Sequence, residues 1–472
     1  MPSSWFLRKP VARLMLESQG GEAGDAGLRR ALGPLDLVLL GIGAIIGTGI
    51  FVLSGVAAVD HAGPAVTASF AVAGLACGLA ALCYAEFATM LPISGSAYSY
   101  SYATLGELTA WVIGWDLILE YALASSAVAV GWSGYARDIL AGFGLVIPVA
   151  VAAAPGEVPG SLLNLPAVAI LLFVTTLLVI GIRESARANA AIVAVKVFVV
   201  LFVIGAGVGF VEPANWQPFA PQGWSGIMAG AATVFFAYIG FDAVTTAAEE
   251  ARRPERDMTV GILGSLAVCS VLYLAVSAVV TGMSPLSEID RAAPVAVAFR
   301  RLGLDFAASL ISAGAIAGLT SVLLVMLLGQ SRVFFAMSRD GLLPRFFSRV
   351  HPRFRTPHLS TLLVGGVVAV VAALVPLRDL VHLVNIGTLF AFVLVSAGVI
   401  VMRRTAPDQP RTFRCPFVPW VPLLSIAACF YLMASLPLVT WIRFGVWLLV
   451  GLVIYLLYGQ RHSRVALEAR SR

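Results

Sequence analysis

From Leu35 to Val59 the chain reads LDLVLLGIGAIIGTGIFVLSGVAAV, 25 residues with Asp36 as the single charge. As a helix this stretch would span roughly 37 Å, enough for the hydrocarbon core of a bilayer. Its middle nevertheless holds Gly41, Gly43, Gly47 and Gly49, with Thr48 between the last two. Each interior glycine costs about 1 kcal/mol of helix stability. Two readings are open. The glycines permit close helix packing, as small-xxx-small motifs do. Alternatively, Gly47-Thr48-Gly49 is unwound, and its N–H and C=O groups, which cannot face lipid, line a cavity and bind a small zwitterion.

Apolar runs of spanning length recur twelve times, near 35–59, 64–91, 105–136, 163–182, 189–211, 226–248, 259–283, 305–335, 358–377, 380–402, 418–438 and 440–459. Charged residues make up 12% of the chain, against about 25% in soluble domains, so the expectation is an all-α protein integral to the membrane. Of the 31 Lys plus Arg, Lys196 lies in a span and Arg137, Arg291, Arg300, Arg301, Arg378 and Arg443 fall on one side. The rest fall on the other side, which the positive-inside rule makes cytoplasmic together with both termini. The net charge of +6 is therefore a topology signal and excludes a nucleic-acid partner. The basic stretch from Ser338 to Pro357 suits cytoplasmic retention and anionic lipid. The five cysteines are scattered and imply neither disulfides nor a metal. No short apolar leader with a cleavage site opens the chain, and no Ser/His/Asp set, metal cluster or phosphate loop stands in the spans. An enzyme and a cofactor are thus not expected. Gly142 to Leu163 reads as an irregular cap, and Ala293 to Leu302 as a short amphipathic helix.

The sixth run, IMAGAATVFFAYIGFDAVTTAAEE (227–250), carries Gly240 at its centre. The first and the sixth runs are thus both interrupted, five runs apart. Paired interruptions in two halves point to an inverted repeat with its site at the midplane, which favours unwinding over packing at Gly47–Gly49. The expected division is a cytoplasmic segment (1–34), a first repeat (35–211), a second repeat (226–402), two further helices (418–459) and a cytoplasmic tail (460–472).

Lys196 lies in the fifth run, flanked by Val195 and Val197, and the only other lysine is Lys9. A lysine at mid-membrane costs on the order of 2.5–3.5 kcal/mol and marks an ion or proton route. Unlike a guanidinium, a desolvated ammonium can release its proton. Asp116 and Glu120 sit at i, i+4 on one face of the third run; Asp116 reads as part of a structural network, while Glu120 is open between structure and function. Glu86 is expected to pair with an arginine, and Asp242 to cap the second half of the sixth helix, with a gating role as the alternative for each. Thr320 and Ser321 are the hydroxyl pair a sodium-coupled protein would use, though such hydroxyls more often bond back to their own helix.

GIGAIIGTGIFVLSG (41–55), YAEFATMLPISGSAYSYSY (84–102), FFAYIGFDAVTTAAEEARRPERDMTVGI (235–262) and QSRVFFAMSRDGLLPRFFSRVHPRFRTP (330–357) resemble the cationic amino acid transporter family of the amino acid–polyamine–organocation superfamily, in a bacterial form. The resemblance implies a leucine-transporter-like fold of five-plus-five inverted repeats with discontinuous helices 1 and 6, working by alternating access as a monomer in the plasma membrane. It implies that the substrate carboxylate binds at Thr48, Gly49 and Ile50 and the α-amino group at the carbonyls of Ile45, Phe236, Ala237 and Ile239. Phe236 would be an aromatic gate. Lys196 would replace a sodium ion between helices one, five and eight, so a proton is the coupling partner. Met326 would face the substrate side chain and leave room for Ala, Ser or Gly rather than Arg. The expected function is proton-coupled import of small neutral L-amino acids. An exchanger, a cationic amino acid transporter and a non-transporting sensor are the alternatives.

Overall fold

The computed structural model describes residues 5, 7–10, 32–91, 96–180, 186–352, 354 and 356–471, so most of the expected N-terminal segment lies outside the described residues. The principal helices are α1 (Pro34–Ile45), α2 (Val66–Met90), α3 (Glu107–Gly142), α4 (Leu165–Ile180), α5 (Ala186–Gly207), α6 (Gly223–Val234), α7 (Pro254–Met283), α8 (Asp305–Arg339), α9 (His358–Leu374), α10 (Leu377–Thr405), α11 (Trp420–Ala434) and α12 (Leu438–Ile454). Among the described residues no β-strand forms beyond three isolated bridges. Among the described residues seven stretches are long and apolar enough to cross a membrane, one of them running from Gly49 to Met90, and four shorter apolar helices accompany them.

Helix starts follow local chemistry. Pro34 opens α1, where its missing N–H costs nothing, and Asp36 accepts the Gly33 N–H at 2.8 Å. Asn164 Oδ1 accepts the Ala167 N–H at the start of α4, and Asp257 accepts the Arg253 N–H at the start of α7. α7 begins five residues before the apolar run at 259, because this Pro254–Asp257 turn is itself a good helix start. α3 likewise runs past 136, carrying Asp138 out to an ion pair with Arg300 and a hydrogen bond from Ser312. The short helix Pro294–Arg301 forms where the amphipathic pattern predicts it, with Asp290 accepting two N–H groups just before it.

Burial divides the helices into two kinds. The apolar core of α3 is 78% buried and that of α10 72%, whereas α5 reaches 33% and α12 22%. α3 packs along α8 and α10, and α7 along α1 and α2, to make the inner bundle. Phe198, Leu201, Val367, Phe430 and Leu449 stand exposed on α5, α9, α11 and α12. Such a surface would be a liability in water and is stable against lipid.

Glu86, near the end of α2, accepts from Arg403 at 2.8 Å through both oxygens and from the Cys415 N–H, with Arg411 at 3.2 Å. The arginine partner expected for it is therefore present twice, and the arrangement clamps α2 to α10 and the following loop.

Candidate functional site

Both interruptions are breaks in the backbone. α1 ends at Ile45, Ile46 turns extended (φ −72°, ψ 103°), and helical turns resume at Thr48 and widen to a π-helical stretch, Gly49–Leu53. The unwinding thus lies at Ile46–Gly47, slightly before the Gly47–Gly49 expected, and Gly49 is back in helix. In the sixth segment α6 ends at Val234, and a tight turn covers Phe235–Tyr238. Ile239 is then extended and Gly240 takes φ +119°, which a side chain would resist.

The glycines serve as contacts between the two breaks. A Cβ on Gly240 would stand 3.0 Å from the Ala44 carbonyl, and one on Gly49 would overlap Ala237 Cα. Close packing and unwinding, posed as alternatives for the sequence, are both in use. One glycine set lets the first and sixth segments touch, while the extended residues beside it redirect the backbone.

A small cavity lies where the breaks meet, lined by Ile45, Thr48, Gly49, Phe236, Ile239 and Met326 together with Ala44, Gly47, Ala124, Val128 and Val322. The space open to a water centre is about 10 Å³, room for about one water, so this conformation is closed around the site. Thr48 is 1% exposed and its Oγ1 has no hydrogen-bond partner among the described residues, a costly state for a buried hydroxyl. Gly131 of α3 makes room for that side chain, since a Cβ there would approach Thr48 Cγ2 to 2.9 Å. No ionisable side chain lines the cavity among the described residues.

Ile50 and Ala237 are buried but do not line the cavity. The Ile50 carbonyl accepts from Ser54 Oγ at 2.7 Å. The carbonyls of Ile45 and Ala237 both lie against Tyr273 Oη of α7, at 2.8 and 2.9 Å. Tyr273 therefore ties the two breaks together through one hydroxyl. Sequence reading missed it, although a phenol in the middle of the apolar run CSVLYLAVS must find an acceptor somewhere.

Lys196 is fully buried on α5 and donates to the carbonyls of Gly43 at 2.7 Å and Ile46 at 3.2 Å. These carbonyls lie at the end of α1 and just beyond it, where the helix stops and its last C=O groups lack an N–H of their own. Gly318 of α8 backs the lysine stem, since a Cβ there would meet Lys196 Cε and Cγ at 3.2 Å. The nearby hydroxyls return to their own helix: Thr320 bonds the Ile316 carbonyl and Ser321 the Gly318 carbonyl.

Glu120 stands one turn before Ala124 on the cavity-facing side of α3, buried, with Oε2 lacking a partner among the described residues. Asp116, a further turn back, lies against Gly387 of α10, and neither of its oxygens is hydrogen-bonded among the described residues. The structural network expected for it is not formed, because α10 offers a glycine there instead of a donor. Asp242 accepts the Gly240 N–H at 3.2 Å. It secures the break itself, and Phe241 occupies the cap position of the following Asp242–Glu250 segment.

A family model described as amino acid permease matches residues 32–458. The chain is 53% identical to the branched-chain amino acid permease of Bacillus subtilis over 470 residues, 98% of this chain and all of that one. It is 52% identical to the methylthioribose transporter of the same organism over 461 residues, 98% of this chain and 99% of that one. It is also 38% identical to cationic amino acid transporter 9, chloroplastic, of Arabidopsis thaliana, across 97% of this chain and 92% of that one. All three are named as transporters or permeases, none as an enzyme. A full-length match of this kind, on a helical frame with apolar spans, makes this a multi-pass membrane protein that belongs to the amino acid permease family of the amino acid–polyamine–organocation superfamily.

Proposed function

We propose that the chain is a secondary transporter that imports small neutral L-amino acids together with a proton, by alternating access at the cavity between the two helix breaks. Twelve crossings in a five-plus-five inverted repeat, both termini in the cytoplasm and a monomer in the plasma membrane complete the reading. The observation that carries it is the buried, unpartnered Thr48 Oγ1 at the meeting point of two interrupted helices. A hydroxyl and adjoining helix-end N–H groups suit a carboxylate, and the carbonyls of Ile45, Phe236 and Ile239, residues that line the cavity, suit an ammonium.

The side-chain end of the cavity is formed by Ala124, Val128, Val322 and Met326. An unpaired guanidinium or ammonium there would face only apolar groups, a cost of several kcal/mol, so a neutral side chain is favoured over a cationic one. The name of the branched-chain relative agrees with a neutral substrate. The name of the methylthioribose relative, at nearly equal identity, puts a neutral thioether sugar on the test panel.

Protonated Lys196 holds the end of α1 through Gly43 and Ile46. Loss of its proton toward the cytoplasm frees α1 to move, which supplies the two-state element that coupling requires. Phe236 closes the site from the sixth segment, with Glu120 and Asp242 as flanking polar groups. The test is uptake into liposomes of alanine, valine, arginine and methylthioribose, each with a proton gradient, with a sodium gradient and with neither. Gradient-driven alanine accumulation without sodium is expected. Counterflow that ignores the proton gradient would establish an exchanger, and binding without flux a sensor.

A further inference from the structure

A second, larger cavity of about 540 Å³ opens at the end of the bundle that carries Asp60, Arg137 and Arg291, the end the charge distribution assigns to the outside. Its size falls in the range of small-molecule sites, and in this conformation it can hold an amino acid while the space at Thr48 cannot. Its floor includes Val52 and Gly131, and Gly131 is the glycine packed against Thr48. The two cavities therefore share a wall.

Its charges are unevenly committed. Asp60 accepts from Arg291 at 2.8 Å. Asp290 is taken by the N–H groups of Ala292 and Ala293, and Glu157 accepts the Leu377 N–H at 2.6 Å. Arg137 and Arg378 line the cavity with no carboxylate within 4.0 Å among the described residues. Arg137 Nε is buried and lacks any acceptor there. The Arg137 charge reaches Glu157 of the same cavity only at longer range, partly offsetting the rise that burial causes at that carboxyl, so its planar donors stay open to a carboxylate that approaches closely. Val56, Val130 and Val381 supply an apolar wall for an aliphatic side chain, and Glu157 lies in the same cavity to face an ammonium.

We propose that this vestibule is a second binding site for the transported amino acid, in which Arg137 and Arg378 take the α-carboxylate before the molecule descends to Thr48. The proposal rests on the amino acid reading given above. Two molecules then bind per chain, and the vestibule sets the concentration at which the central site fills. Arg137 acts on capture and leaves the rate of the closed, loaded carrier alone.

The test is equilibrium binding of radiolabelled L-alanine to the purified full chain, with liposome uptake of the same compound. Wild type should bind two alanines. Arg137→Gln should bind one, with KM raised about tenfold, the scale of one charge-assisted contact, and Vmax held within twofold. Arg137→Lys, which keeps the charge, should recover most of the loss. Alaninamide, which has no carboxylate, should fail to displace the second molecule. If Arg137→Gln does not fold, Arg378→Gln at the exposed rim is judged by the same readouts. One alanine per wild-type chain, an unchanged KM, or displacement by alaninamide overturns the proposal while leaving transport intact. A wild-type chain that neither binds nor moves any amino acid overturns the transport reading as well.

Discussion

Replacing Tyr273 by Phe isolates the tie between the two helix breaks. The ring stays in its place against Phe70 and Tyr238, so packing is preserved and only the hydroxyl is lost. That hydroxyl has one proton and two acceptors, the carbonyls of Ile45 and Ala237 at 2.8 and 2.9 Å, so one hydrogen bond disappears at any instant. Its net worth is about 1 kcal/mol. In the closed state the vacated carbonyl belongs to a buried residue, Ile45 at 3% or Ala237 at 1% exposure, whereas opening admits water to it, so the full amount acts on the closed-to-open equilibrium. A change of 1 kcal/mol is about fivefold in population. The assay is the rate at which a small thiol reagent labels Val322→Cys, a position on the cavity wall that is 2% exposed when closed. All five native cysteines are buried, so background is read from the chain without that cysteine. Tyr273→Phe should raise the labelling rate about fivefold, and alanine should slow it again. A rate within twofold of the parent would refute the idea that this hydroxyl holds the breaks together.

Gly49→Ala should abolish uptake, because its Cβ meets the Ala237 backbone, which cannot step aside. Gly78→Ala, with open space around it, should transport normally in the same assay. Lys196→Ala should keep its folded yield and lose the pH dependence of alanine uptake; full proton-driven accumulation in that variant would remove the lysine from the coupling. Met326→Ser should enlarge the cavity and admit arginine relative to alanine, and unchanged discrimination would sink the steric argument. Glu86→Gln should leave Arg411, whose side chain is 2% exposed, without its counter-charge, a loss of about 3–5 kcal/mol, seen as a lower thermal stability in detergent than wild type.

The glycine-rich break at Gly47 and the second at Gly240 were legible because an apolar helix has no local reason to carry glycine at its centre. Lys196 was legible for the same kind of reason, as a charge whose position is costly unless used. Glu86 announced a partner by being a carboxylate near a basic end. Tyr273, Gly131 and Gly318 were not legible. Each looks ordinary within its own helix, and its role exists only in what lies opposite: two carbonyls, a threonine methyl and a lysine stem. Asp116 shows the reverse error, since it read as part of a structural network and its oxygens have no hydrogen-bond partner among the described residues.

The vestibule belongs to this second class. Arg137, Arg291 and Arg378 entered the sequence reading only as counts on one side of the membrane, yet folding pairs Arg291 with Asp60 and leaves the other two lining the same cavity with no carboxylate within 4.0 Å among the described residues. The sequence by itself determined that the chain lives in a bilayer, that its first and sixth apolar runs are interrupted, and that Lys196 lies within an apolar span. Hydropathy and backbone propensity are local properties, and a single chain displays them without being folded. Only the tertiary structure decided which carbonyls the lysine holds, where the unwinding falls to the residue, and that Tyr273 joins the breaks. Those are distances between segments remote in sequence, fixed when the helices pack.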